Sequence, residues 1–249
     1  MSYVGQSVPR ANAKRLLEGR GTYTDDLRFP RLTHVAFLRS PHAHARILSI
    51  DLTRARAMPG VVAAVDGAML AKYCKPWVAV LGHLKGIKSA TQYPIAVDRA
   101  CWQGEAVAAV VAQTRAQAED ALEAIAVEWE TLPAVTDMDA SLVASAAGGT
   151  VIHPELGDNI CFTREFATEG VADAFAKADV VVEETYDFGR HTGVTLEGRA
   201  ILADYNRAEH ALTVHHSTQA PHMMQDIFSD RKSTRLNSSH VSESRMPSS

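Results

Sequence analysis

The side chains best suited to chemistry in this chain are its histidines, its cysteines and a few polar groups near strand ends. His42 and His44 stand two positions apart in SPHAHA, a spacing that lets both face one metal ion from a strand, although no third ligand is evident beside them. Loop and cap hydrogen bonding is the plainer role for the pair. His215 and His216 are adjacent; neighbouring strand positions point to opposite faces, so one of the two is predicted to be exposed. Cys74, Cys101 and Cys161 lie far apart with no CxxC spacing. Neither a zinc site, an iron-sulfur cluster nor a disulfide framework follows from them, and each is expected to be a small buried hydrophobe in a reducing compartment. Ser217, Thr218 and Gln219 close a predicted strand and by themselves read as a turn. The sequence contains no GxGxxG, P-loop, HExxH or GxSxG, which closes the short-motif routes to nucleotide binding, zinc hydrolysis and serine chemistry.

The elements that must position these groups follow from hydropathy and breakers. Residues 11–18 form a short helix stopped by Gly19 and Gly21, and 32–39 alternates as a strand ended by Pro41. A strand at 45–52, a helix at 53–58 closed by Pro59 and Gly60, a strand at 61–65 and a helix at 67–73 come next. Residues 74–98 carry Pro76, Gly82, Gly86 and Pro94 without sustained period, so they read as a loop excursion. The continuous apolar run 106–112 reads as a buried strand, and Thr114 opens a helix with capping-box spacing to Gln117. That helix is expected to bury Ala116, Leu122 and Ile125 and to expose Glu119, Asp120 and Glu123. A strand at 126–130 completes a β-α-β unit. Residues 137–158 are rich in Ala, Ser and Gly and read as a linker. Beyond it lie a helix at 171–177 and strands at 180–188, 199–205 and 212–217, with 205–210 turning between the last two.

Composition narrows the function classes. The chain has 249 residues, a formal charge of −4 and no Lys/Arg run, which argues against nucleic acid or an anionic membrane as the main partner. No apolar stretch approaches the length of a membrane span, and the start MSYVGQSVPR has no signal-peptide core. The cytoplasm is therefore the expected location, and a small molecule or another protein the expected partner.

Residues 230–249 depart from the rest of the chain: they lack a hydrophobic period and are Ser-rich. Residues 230–240 and 244–249 resemble the in-frame translation of two constant stretches of a sequencing-library adapter, with 241–243 as the variable index. The tail is read as artefactual or disordered, and the natural protein is expected to continue past Ser229.

Seven motifs in order carry a family resemblance. VGQSVPR, GRGTYTDDL, AFLRSPHAHARILSID, MPGVV and GEAVAAVVAQTRAQAEDALEAIAVEWETLPAV resemble the N-terminal hammerhead domain of the molybdenum-binding large subunit of the xanthine dehydrogenase, aldehyde oxidase and carbon monoxide dehydrogenase family. ADVVVEETYDFGRHTGVTLEGRAILADYN and LTVHHSTQAPH resemble the start of that family's molybdopterin-binding domain. The fold implied is α+β: an N-terminal arm at 1–18, an a/b hammerhead domain at 19–136, a linker at 137–158, and at 159–229 the beginning of an incomplete α+β molybdopterin-binding domain.

The resemblance implies an oxidoreductase, a molybdenum hydroxylase that adds a water-derived oxygen to an aldehyde or N-heterocycle, or oxidises CO. Its cofactor would be molybdenum-molybdopterin in the cytosine dinucleotide form, with iron-sulfur clusters and FAD on separate partner subunits. Gln219, the glutamine of the STQ segment, would donate its amide to an oxygen ligand of the metal, as both catalytic and cofactor-binding residue. A neutral amide suits this task because it stabilises developing charge without titrating. Glu197 and Arg199 stand where many members have EPR, with Gly198 in place of the proline, and read as strand-orienting. The glycine-rich pterin loop, the substrate loop and the base glutamate would lie beyond Ser229, so the chain alone is expected to hold no molybdenum tightly and to turn nothing over. Its substrate is not legible. The alternative is a non-catalytic hammerhead module that docks partner subunits.

Overall fold

The computed structural model describes residues 3–78, 84, 86–189 and 191–231, without the side chains of 144–147 and 229–231. The adapter-like tail thus lies, apart from its first two residues, outside the described residues.

In chain order, α1 (Ala13–Leu17) and a 3-10 turn (Thr24–Asp26) precede β1 (His34–Arg39), β2 (Ala45–Asp51), α2 (Thr53–Arg56), β3 (Val61–Asp66) and α3 (Gly67–Leu70). β4 (Arg99–Ala100), β5 (Ala106–Ala112), α4 (Arg115–Leu122), β6 (Ala126–Thr131), α5 (Met138–Ala147) and α6 (Val171–Lys177) follow. β7 (Ile201–Asn206), β8 (Ala211–His216) and α7 (Pro221–Arg231) complete the described chain. Two compact units result: one from 35–72 and 76–193, the other from the described residues of 1–34, 73–75 and 194–249.

The larger unit contains two three-stranded sheets, ordered β1-β5-β3 and β4-β2-β6. β3 runs antiparallel to β5, with Ala64 opposite Val110, and β2 runs antiparallel to β6, with Ile50 opposite Val127. β5 is central in the first sheet and buried along most of its length, as its unbroken apolar run requires. Ala108 and Val110 pack with Leu52, Ala55, Ala64, Ala121 and Ile125, whereas Val107 packs with Ala96 and Ala100 beneath Ile47 and Trp129. Strand alternation thus sends one β5 into two cores.

α4 begins where predicted: Thr114 Oγ1 accepts from the Gln117 N–H at 3.2 Å, and Gln117 Oε1 accepts from the Thr114 N–H at 3.1 Å. Its buried stripe differs from the expected one at a single position, Ala116. Ala118, Ala121 and Ile125 are buried and Leu122 half-buried, the 3-4-7 spacing of one face, while Ala116 lies about 200° around the helix from Ala118 and is exposed.

Three further expectations are corrected. β5 and β6 do not form a β-α-β pair, because α4 carries the chain from one sheet to the other. Residues 137–158 contain a helix, α5: Asp137 Oδ1 accepts from the Ala140 N–H at 2.7 Å, and alanine-rich sequence propagates the turn as far as Gly148, at φ 71°. Residues 180–188 form no strand and pair with none among the described residues, so their β-rich composition forms no ladder, and Val180, Tyr186 and Phe188 are 78, 84 and 87% exposed. Among the described residues, no helix is long and apolar enough to cross a membrane.

Candidate functional site

The smaller unit is organised around the β7–β8 hairpin. Asn206 Oδ1 accepts from the N–H groups of Ala208 and Glu209 at 3.0 and 3.4 Å, and His210 takes φ 52°, which reverses the chain within the predicted turn. The resulting antiparallel register sets Ile201 opposite His216 and Leu202 opposite His215.

At the open end of the hairpin the ladder gives way to side-chain bonds. Ser217 N–H donates to the Ala200 carbonyl, Ser217 Oγ accepts from the Ala200 N–H, and the Ser217 hydroxyl donates to the Gly198 carbonyl, each at 3.2 Å. Thr218 Oγ1 then accepts from the Ala220 N–H at 3.1 Å, closing a tight turn with Gln219 at its apex. The Met224 N–H donates to the Ala220 carbonyl at 3.0 Å as α7 begins, and Pro221 occupies its first position, where a missing N–H costs nothing. The Gln219 side chain is exposed, and its amide makes no hydrogen bond among the described residues.

Glu197 faces the other way. Its Oε1 accepts from the Thr24 N–H at 2.9 Å, and its own carbonyl accepts from Thr195 Oγ1 at 2.6 Å. The strand-orienting role expected of Glu197 and Arg199 is thus carried by Glu197 through a hydrogen bond. Arg199 is exposed, and no ion pair joins the two among the described residues. Sequence reasoning missed Thr24, because 173 residues separate it from Glu197 and no periodicity connects them. The only signal was that GTYTDD and LEGR occur in one ordered set of motifs.

The histidine pair is corrected. Opposite faces hold, but neither ring is exposed: His215 lies 5.6 Å from the Phe29 ring and His216 lies 6.1 Å from the Phe228 ring, both half-buried. Each strand face is covered by an aromatic side chain that the pattern of β8 alone could not supply. In the larger unit, His44 is 5% exposed with Nδ1 2.6 Å from the Pro133 carbonyl, so Nδ1 carries the hydrogen, and His42 meets Trp129 edge-on. No group of three or more His, Cys, Asp or Glu able to hold a metal occurs among the described residues. The cysteines are free, and none is fully buried; Cys161 is exposed. Burial raises the Cys101 thiol and the Glu105 carboxyl above their usual pKa values. Both stand in the larger unit.

Sequence comparison agrees with this architecture. Residues 18–133 match the family description "Aldehyde oxidase and xanthine dehydrogenase, a/b hammerhead domain", and residues 152–246 match "Molybdopterin cofactor-binding domain". The chain therefore belongs to the aldehyde oxidase and xanthine dehydrogenase family. It is 36% identical over 226 residues to the nicotine 6-hydroxylase large subunit of Paenarthrobacter nicotinovorans, covering 91% of this chain and 27% of that protein. It is 32% identical over 245 residues to the carbon monoxide dehydrogenase large chain of Afipia carboxidovorans, covering 91% and 28%. Quinoline 2-oxidoreductase from Pseudomonas putida 86 superposes with a TM-score of 0.82 at 37% identity, covering 91% of this chain and 28% of that one. The chain thus spans little more than a quarter of the length of these relatives.

Proposed function

We propose that this chain is part of the large subunit of a molybdenum hydroxylase, a cytoplasmic oxidoreductase that acts on an aldehyde, an N-heterocycle or CO. The cofactor is molybdenum-molybdopterin in its cytosine dinucleotide form, and iron-sulfur and FAD subunits are the partners that carry electrons away. Family membership supports the class, and the large-subunit relatives support the division among subunits.

The observation that carries the reading is the exposed amide of Gln219 at the apex of its turn, unbonded among the described residues. The residues fit the group. A primary amide offers two N–H donors to an oxygen acceptor and keeps the same charge across the physiological pH range. When bound, molybdenum-molybdopterin supplies the redox centre and an activated oxygen. The protein's part is to present the Gln219 donors in a fixed place, which Thr218 and Ser217 do by pinning the backbone on either side of the strand end.

Reading the source DNA beyond codon 229 tests the proposal. The expected result is an open frame that runs on into a glycine-rich loop and a segment bearing a base glutamate. A natural stop at codon 250 overturns it and leaves the partner-docking module.

A further inference from the structure

Among the described residues the Gln219 side chain makes no hydrogen bond, so the restraint on it comes from the backbone that carries it. That backbone is tied through Ser217 to the 197–200 turn, which contains Gly198. Gly198 does not occupy the left-handed region, and a Cβ there would meet nothing within 4 Å. Glycine is therefore not required by the local geometry. It leaves this turn without the stiffness a side chain confers, and bonds from outside must fix it.

On one side the Thr24 N–H donates to Glu197 Oε1 at 2.9 Å; on the other, Ser217 bonds the Ala200 N–H and carbonyl, and its hydroxyl is shared between the Gly198 and Ala200 carbonyls, each at 3.2 Å; within the turn Thr195 Oγ1 donates to the Glu197 carbonyl at 2.6 Å. The bond from Thr24 to Glu197 has a carboxylate acceptor, is half-buried and reaches a different part of the chain. Its donor belongs to a turn that is itself locked, since the Tyr23 N–H donates to Asp26 Oδ2 at 2.9 Å and the Asp26 N–H returns to the Tyr23 carbonyl at 3.0 Å. A rigid 3-10 turn, a carboxylate, a flexible glycine turn and a serine thus form one series that ends two residues from Gln219.

We infer that Glu197 is a positioning residue for Gln219: its carboxylate anchors the 195–200 turn to the Thr24–Asp26 turn, and Ser217 transmits that restraint to the turn that presents the Gln219 amide. The inference rests on reading Gln219 as the cofactor-facing donor, but its test needs no cofactor, so the two can fail separately.

Amide hydrogen exchange and 15N relaxation on the 249-residue chain measure the restraint directly. In Glu197→Ala, the Thr24, Ala200 and Ser217 amides are expected to exchange at least tenfold faster. The Gln219 backbone order parameter should fall, while the Asp204 and Thr213 amides, a hydrogen-bonded pair inside the hairpin ladder, keep their protection. Glu197→Gln retains an acceptor oxygen and should behave like the parent chain. If Glu197→Ala releases the ladder as well, Glu197→Asp, which withdraws the carboxylate by one methylene, is judged by the same amides. Release of Thr24 alone, with Ser217 and Gln219 unchanged, overturns the inference.

Discussion

Lys88 Nζ lies 2.7 Å from Asp158 Oδ2, and the Lys88 backbone N–H donates to the Cys161 carbonyl at 2.7 Å, so one residue grips the 158–161 segment at two points. The hydrogen bond from Lys88 and that from the Ile160 N–H hold the Asp158 carboxyl below its usual pKa. A depressed carboxylate contributes above its unfolded pKa and loses that contribution as pH falls through its folded value. The pair is solvent-accessible and screened, so its effect should be local. Lys88→Ala is expected to speed exchange of the Ile160 amide severalfold with little change in midpoint denaturation, and 1 M salt should mimic part of it. An Ile160 amide unaffected by either change would remove the clasp.

Glu105 responds to pH in the opposite sense. Burial raises its carboxyl pKa, against the opposing influence of the Cys101 N–H, which donates to Oε2 at 2.6 Å, and of His153 and Arg99 nearby. A raised carboxyl stabilises the fold below its unfolded pKa and forfeits that as pH rises through the folded value. Glu105→Gln keeps an acceptor for Cys101 without ionising. Its stability relative to the parent should therefore climb as pH rises from the ordinary glutamate range, as urea titrations at a series of pH values would register. A constant difference across that series would contradict the assignment.

The two cores meet on β5, and Val107 serves the one beneath Trp129. Val107 is fully buried, so truncation to Ala should cost about 2 kcal/mol from lost burial and the cavity left behind. Val182→Ala, at a side chain 75% exposed, should stay within about 0.5 kcal/mol. Denaturant midpoints on the two variants compare them directly.

Thr114 gives a milder case. Its hydroxyl satisfies the Gln117 N–H at the start of α4, and Thr114→Ala should cost about 1 kcal/mol. Thr114→Ser should restore most of it, because the acceptor oxygen is kept.

Much of this architecture can be read in the sequence where a local rule governs. The apolar run of β5 and the Thr114 cap depend on residues a few positions apart, and both formed as expected. The assignments that fail depend on partners elsewhere in the chain. A stretch such as 180–188 has strand composition, but composition supplies no ladder partner. The face of α4 is set by the packing of Ala118 and Ala121 on the sheet; Leu122 and Ile125 lie on it as expected, whereas Ala116, about 200° around from Ala118, does not. His215 and His216 followed strand alternation faithfully; the rings of Phe29 and Phe228 that cover them come from other segments. At the candidate site, STQ marks a turn at a strand end, whereas the link from Glu197 to Thr24 exists only after the fold has joined them.

The most direct test of the proposed function is molybdenum content. The reading frame continued from the source DNA should be expressed with its partner subunits, and metal and pterin measured per polypeptide beside a Gln219→Ala variant. Near-stoichiometric molybdenum is expected in the extended protein, with hydroxylase turnover in the variant reduced by about 10²–10³-fold, the loss seen when one preorganised donor is removed. An extended, folded protein with no molybdenum or pterin would contradict it.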